Sequence, residues 1–273
     1  MQREGCRMSG GVQEPASTGM ITLDDLDNMT DEPGSDSAYN SNGSVEEEAE
    51  PMEDGDQDRL LNYWQTVARG HQVEVPNEMA EPIQQLTRNS RTEERQSVPF
   101  LLLSCKEKCG EILYEKRQYG KAKWACVKMQ EEKYEQSICM GFMKLMRYIC
   151  EQNSSGTYMG MTIPILTTIH TDAGRSELTR TVTVAYYIPS NWQDSPPQPT
   201  DSEIFIEEWP STVVFTREFA GVTNEESIMR EISLLAEALD SPDLCLQDTF
   251  IVAGYTNPAA VSRRNEIWFL QRP

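Results

Sequence analysis

Two histidines, seven cysteines and a charged run near the C-terminus are the side chains of this 273-residue chain with the most chemistry to offer. His71 follows a candidate helix stop, and His170 sits near the end of a strand pattern. A lone imidazole without an orienting partner reads as a surface group rather than a metal ligand. Cys105 and Cys109 are spaced C-x-x-x-C, which matches neither a zinc ribbon nor a dithiol redox motif. An odd cysteine count does not suit a disulfide framework, so free thiols in a reducing compartment are expected. Arg263, Arg264 and Glu266 form a charged cluster. Glu266 is the one carboxylate that could serve a hydrolytic reaction if it were buried and perturbed, but an ion pair at a strand entrance accounts for the same residues. The chain has no Ser-His-Asp or Cys-His set, no Gly-rich phosphate loop and no metal motif. It therefore reads as something other than an enzyme.

One helix must carry a further chemical feature. Cys139, Met140, Met143, Met146 and Cys150 make the segment near 132–150 rich in sulfur. Methionine suits adaptable binding surfaces, yet a Met-rich face is as often core. On this helix Ile138, Phe142, Leu145, Met146 and Ile149 share one face. Around it, Ile112–Tyr114 and Trp124–Val127 flank a Tyr119-Gly120 turn and read as a hairpin, preceded by an apolar stretch through Leu101–Leu103. Met161–His170 and Thr179–Ile188 follow as strands joined by a turn at Asp172-Ala173-Gly174. Val182, Val184, Tyr186 and Ile188 alternate with Thr181, Thr183, Ala185 and Tyr187, the period of a half-buried antiparallel strand. Pro196, Pro197 and Pro199 make residues 191–200 an extended crossover. The order then repeats. Strands are expected at 204–206 and 213–219. A helix near 224–239, with a capping pattern at Thr223–Glu226, and strands at 249–254 and 267–270 complete the second unit. The expected architecture is α+β: two β-β-α-β-β repeats forming a distorted antiparallel barrel or sheet flanked by two main helices. Such pseudo-symmetric halves leave a cleft suited to a ligand.

The net charge of −20 is uneven. Residues 1–58 hold 16 acidic and two basic side chains and few large apolar groups, the composition of an acidic disordered extension. A patch from Met20 to Met29 interleaves acidic residues with Ile, Leu and Met, as in segments that fold onto a partner. In residues 59–97, Leu60, Leu61, Trp64, Val67 and Ala68 form a short helical stripe that Gly70 can end. An irregular link containing Pro76 and Pro82 is expected after it, and the folded domain spans 98–273. The acidity disfavours nucleic acid and anionic lipid as partners. No apolar run approaches the ~20 residues of a membrane span, and residues 1–11 contain no apolar signal core. A cytoplasmic protein is expected.

From about Gly110 onward the chain resembles the SOUL/haem-binding protein family. The resemblance rests on Tyr114–Trp124 (YEKRQYGKAKW), Gly141–Leu145, Met161-Thr162-Ile163-Pro164, Tyr187-Ile188-Pro189 with Pro196–Pro199, Ala253-Gly254-Tyr255, and Arg263–Trp268. These stand in the family's order and spacing; residues 1–97 lie outside the resemblance. It implies two β-α-β repeats around a distorted barrel, and non-covalent, reversible binding of haem or another porphyrin without an established reaction. It also implies a groove between the first helix and the loop before the last strand. Carried over, Phe142, Leu145, Met146 and Ile149 line that groove. Arg147, with Arg263 or Arg264 from the loop Thr256–Arg264, would pair the propionates through bidentate contacts. Some members carry a histidine in the opening hairpin as a proposed axial ligand. Gln118 replaces it here, and an amide is a poor ligand for haem iron. His170 is left as a weak candidate. A regulatory protein that kept the fold, lost the ligand and acts through its acidic tail or residues 60–68 is the alternative.

Overall fold

The computed structural model describes residues 72–90, 95–172, 177–255 and 264–272, together with Asn62, Gln65, Thr66, Ala68, Arg69 and Gly70. The acidic extension, Leu60, Leu61, Trp64, Val67, His71, the Ala173-Gly174 turn, Arg263 and the rest of the loop from Thr256 lie outside the described residues.

Among the described residues from Asn77 onward, eleven strands and three α-helices follow along the chain. Helix α1 (Ala80–Ser90) is followed by β1 (Gln96–Ser97), β2 (Phe100–Lys108), β3 (Glu111–Tyr119) and β4 (Ala122–Met129). Helix α2 (Tyr134–Ile149) precedes β5 (Thr162–Ile163), β6 (Ile165–His170) and β7 (Val182–Tyr187). The second unit is β8 (Ile204–Trp209), β9 (Thr212–Ala220), α3 (Glu225–Ala238), β10 (Cys245–Gly254) and β11 (Arg264–Gln271).

Nine strands make one antiparallel sheet in the order β2-β3-β9-β11-β10-β6-β7-β4-β8. Its ends, β2 and β8, remain edges, so the barrel does not close. The expected α+β class and double repeat are present. The expected hairpin is not. β3 pairs with β2 and β9, whereas β4 pairs with β7 and β8. Each repeat lends its first strand to the other half of the sheet. The reason lies in the links. Tyr119 opposes Thr212 and Ala122 opposes Trp209, so β3–β4 and β8–β9 run side by side as one long ribbon that bends at Gly120-Lys121 and Pro210-Ser211. A Gly link between two strands looks locally like a hairpin, but here it is a corner.

Alternation sends successive side chains to opposite faces. Val182, Val184 and Tyr186 join the helix-side core, while Ala185 and Tyr187 join a second cluster on the other face. β7 is thus buried on both faces rather than one, because the folded ribbon covers the face expected to be wet. Helix α2 lies over β4 and β7, and α3 over β3, β9 and β11. Gly141 lets α2 sit close: a Cβ there would come within 2.7 Å of Val184 Cγ2. Asn224 caps α3, accepting from the Ser227 N–H at 2.8 Å while the Ser227 hydroxyl accepts from Asn224 N–H at 2.9 Å.

The segment read as an irregular link carries α1. Pro82 stands in the first turn of that helix, where its missing N–H has no intrahelical acceptor to lose. A 3-10 turn, Asn77–Met79, leads into it. β1 then pairs in parallel with β5 and ties the segment to the domain.

Candidate functional site

A helix lying on a sheet normally keeps a solvent stripe. Gly141 fixes the side of α2 that meets β7. At 100° per residue, Met143 and Cys139 fall on the far side, yet they are 5% and 1% exposed. The remaining partly exposed stripe is narrow, through Gln136, Met140, Lys144 and Arg147. What encloses α2 is the chain's own preceding segment. Ala68, Val73, Val75, Met79, Ile83 and Leu86 are all buried in the same core cluster as α2. Polar contacts hold the segment along the helix. Cys150 Sγ donates to Pro82 O at 3.4 Å, Arg147 Nη1 lies 3.3 Å from Glu78 Oε1, and Gln85 bonds Glu151.

This places the residues carried over from the family. Phe142, Leu145, Met146 and Ile149 are at most 2% exposed and belong to the core. Arg147 is half-buried and also donates from Nε to Gln152 Oε1 at 2.8 Å. Arg264 sits on β11 with other partners: its Nε donates to Glu218 at 2.9 Å, and its guanidinium stacks 4.5 Å over the Tyr255 ring. The four apolar residues are together, whereas the two arginines have separate partners on separate elements. Burial also acts on the neighbouring thiols. It pushes Cys139 up to about 12 and Cys150 higher still, so both stay protonated.

Glu266, the sequence candidate for hydrolysis, is fully buried on the other face of the sheet. Arg117 grips it from two nitrogens, at 2.9 and 3.0 Å. Tyr255 Oη and Trp268 Nε1 donate to Oε2 at 2.9 and 2.7 Å. Burial opposes the charge of Arg117, but the bonds and attraction of Glu266 override it and hold the guanidinium above its ordinary value. Burial also raises the Tyr255 hydroxyl, with the Glu266 charge adding to it. Every strong interaction of this carboxylate is thus already made within the protein.

The two imidazole-related positions are modest. Gln118 donates to Ser211 Oγ at 3.2 Å across the ribbon corner. His170 Nδ1 lies 3.1 Å from Thr249 Oγ1 on the neighbouring strand. No group of three or more His, Cys, Asp or Glu suited to a metal occurs among the described residues. No helix among them is long and apolar enough to cross a membrane.

Sequence reasoning did not reach the aromatic cluster of Tyr119, Trp124, Tyr187 and Trp268 beside Glu266. The available signal was parity: Arg117 with Tyr119, and Glu266 with Trp268, stand two apart and so share a face.

An open antiparallel sheet with a helix on each half and cores on both faces defines an α+β architecture. The family model described as "SOUL heme-binding protein" matches residues 95–270, and the chain belongs to that family. Heme-binding protein 2 of Mus musculus is 33% identical over 162 residues, covering 58% of this chain and 78% of its own. The Homo sapiens protein of the same name is 32% identical over 161 residues, with the same coverage. Heme-binding protein 1 of Sus scrofa is 32% identical over 174 residues, 63% of this chain and 91% of its own. α1 and everything before it fall outside the family match.

Proposed function

We propose that this protein binds haem or a related tetrapyrrole non-covalently and reversibly, as a cytoplasmic carrier, buffer or sensor without catalysis of its own. Family membership over 95–270 is the observation that carries the reading, supported by relatives named for haem binding. The site we assign is the α2 face of Phe142, Leu145, Met146 and Ile149, with Arg147 and Arg263 as propionate partners; Arg264, beside Glu266, is on the other face of the sheet. Neither Gln118 nor His170 is needed as an iron ligand.

Because that face shares one buried core with residues 68–86, a ligand that reaches it must displace the segment. Apparent affinity is then the intrinsic affinity reduced by the fraction of molecules in which the segment is displaced. The test is a haemin titration of the full chain, read by the Soret band and tryptophan quenching, beside a variant carrying Ile83→Asp and Leu86→Asp. Circular dichroism checks that the variant remains folded. Unseating α1 is expected to tighten binding at least tenfold, and Arg147→Ala should weaken it in both backgrounds. Unchanged affinity in the folded variant would reject the α2 face as the site. The covered face also favours a second reading, a SOUL-fold regulatory protein that has lost its ligand and works through its extension. Absence of saturable haemin binding in both proteins would select it.

A further inference from the structure

The face of the sheet opposite the helices carries a pocket that the haem reading does not use. It sits inside the ribbon corner, where the bends at Gly120-Lys121 and Pro210-Ser211 fold two halves of the sheet toward each other. Its walls draw on eight strands, from β3 at Tyr119 to β11 at Trp268. Two stacked pairs face it: Trp124 with Trp209, centroids 4.8 Å apart, and Tyr119 with Trp268, 4.7 Å apart, each 23° from parallel. Leu166 and Ile251 form the floor. Trp124, Tyr119 and Trp268 are all buried, so the walls are set before any ligand arrives.

Several polar atoms around it already have partners. Trp209 Nε1 donates to Glu207 and Trp268 Nε1 to Glu266, and the Thr212 hydroxyl donates to Pro210 O at 2.9 Å. The charges are balanced as well. Arg117 neutralises Glu266, and Lys121 at the rim lies 2.7 Å from Glu208. Aromatic faces attract cations, but Glu266, the carboxylate buried beside these walls, is already paired with Arg117, and no guanidinium lines the pocket to receive an anion. Desolvating a charge without a partner is costly.

We propose that this corner pocket is a second binding site, for a small, flat, uncharged aromatic molecule of one or two fused rings seated between the two stacks. The cavity measures about 90 Å3 and opens to solvent at its mouth. The inference is independent of the haem reading, since the pocket and α2 lie on opposite faces of the sheet.

The experiment uses the full chain and two probes that differ by one sulfonate: N-phenyl-1-naphthylamine and 1-anilinonaphthalene-8-sulfonate. Binding is followed by probe emission and by energy transfer from tryptophan. The neutral probe is expected to saturate at one per chain and to bind at least tenfold tighter than the sulfonate. A cationic competitor, 1-naphthylmethylammonium, should displace it no better than the sulfonate does. Thr212→Trp, at the half-buried rim, and Ile251→Phe, in the floor, should each weaken the neutral probe tenfold or more and leave the haemin titration unaltered. Equal affinity for neutral and charged probes, or binding unaffected by either folded variant, would overturn the proposal. One-for-one displacement of the probe by haemin would also overturn it, because the two ligands would then share a site.

Discussion

Helices α2 and α3 occupy equivalent places in the two repeats, yet 11 of the 16 residues of α2 are buried against five of the 14 in α3. α3 keeps a solvent face, with Leu234 38% exposed, and anchors itself through polar contacts as well as apolar ones. Its Glu231, 4% exposed, meets Arg217 Nε at 3.3 Å and Arg230 Nη2 at 3.1 Å. α2 is held between two apolar surfaces, the sheet below and residues 68–86 above. The difference comes from chain that precedes the first repeat and has no counterpart before the second. A duplicated fold thus presents one helix to solvent and keeps the other under its own extension. The enclosed helix is the one the family resemblance assigns to the ligand.

The sharpest way to break this comparison is to remove the cover. Leu86→Ala should cost about 2–5 kcal/mol in chemical denaturation, since Leu86 is fully buried. It should also make Cys139 and Cys150 react with thiol reagents in the native state, measured site by site by mass spectrometry. If both thiols stayed protected, something other than the extension would be enclosing α2. Gly141→Ala tests the lower surface. The added methyl would meet the stiff, β-branched Val184, and a loss of about 1–3 kcal/mol is expected in the same measurement.

Alkaline pH offers a gentler probe. The Cys139 thiol titrates near 9 when unfolded and is held to about 12 by burial. A native state that keeps its proton longer loses stability as pH rises past the unfolded value. Thermal melts should therefore fall from about pH 9 toward 12, and Cys139→Ala should flatten that slope. A slope the substitution leaves unchanged would argue against the enclosure. α3 has no cysteine and gives no such signature. The smallest effect belongs to its open face: Leu234→Ser should change stability by no more than about 0.5 kcal/mol.

Much of this fold was legible in local pattern. The helix near 132–150, the helix near 224–239 with its cap, and the strand through Val182–Tyr187 all lie where periodicity places them. What escaped was set by partners far away in the chain. Tyr119-Gly120 reads as a hairpin turn because nothing local reports that β3 will pair with β9 rather than β4. Pro82 reads as an interruption unless the helix is known to begin at Ala80. Phe142, Leu145, Met146 and Ile149 form one apolar face whether that face meets a ligand or the chain itself. Composition cannot separate the two, because both occupants are apolar. Asp at Leu145 or Met146, which a groove position would tolerate, would here place a carboxylate without a partner in the core. The corner pocket escaped for the same reason. Its aromatic walls come from residues scattered between 119 and 268, one per strand, and only the bent ribbon brings them together.

That ribbon bears on how the chain acquires its structure. β3 leaves the first repeat to pair with β9, and β8 leaves the second to pair with β4, so neither repeat holds all of its own strands. Half the chain made alone would leave two strand edges without partners. The two halves must therefore commit in one cooperative step, late in synthesis, after β11 has emerged to join β9 and β10. Pairings of such long sequence separation place the domain among slow folders, on the order of milliseconds to seconds. Even after they form, the apolar Phe100–Leu103 stretch of β2 stays exposed at the edge of the sheet.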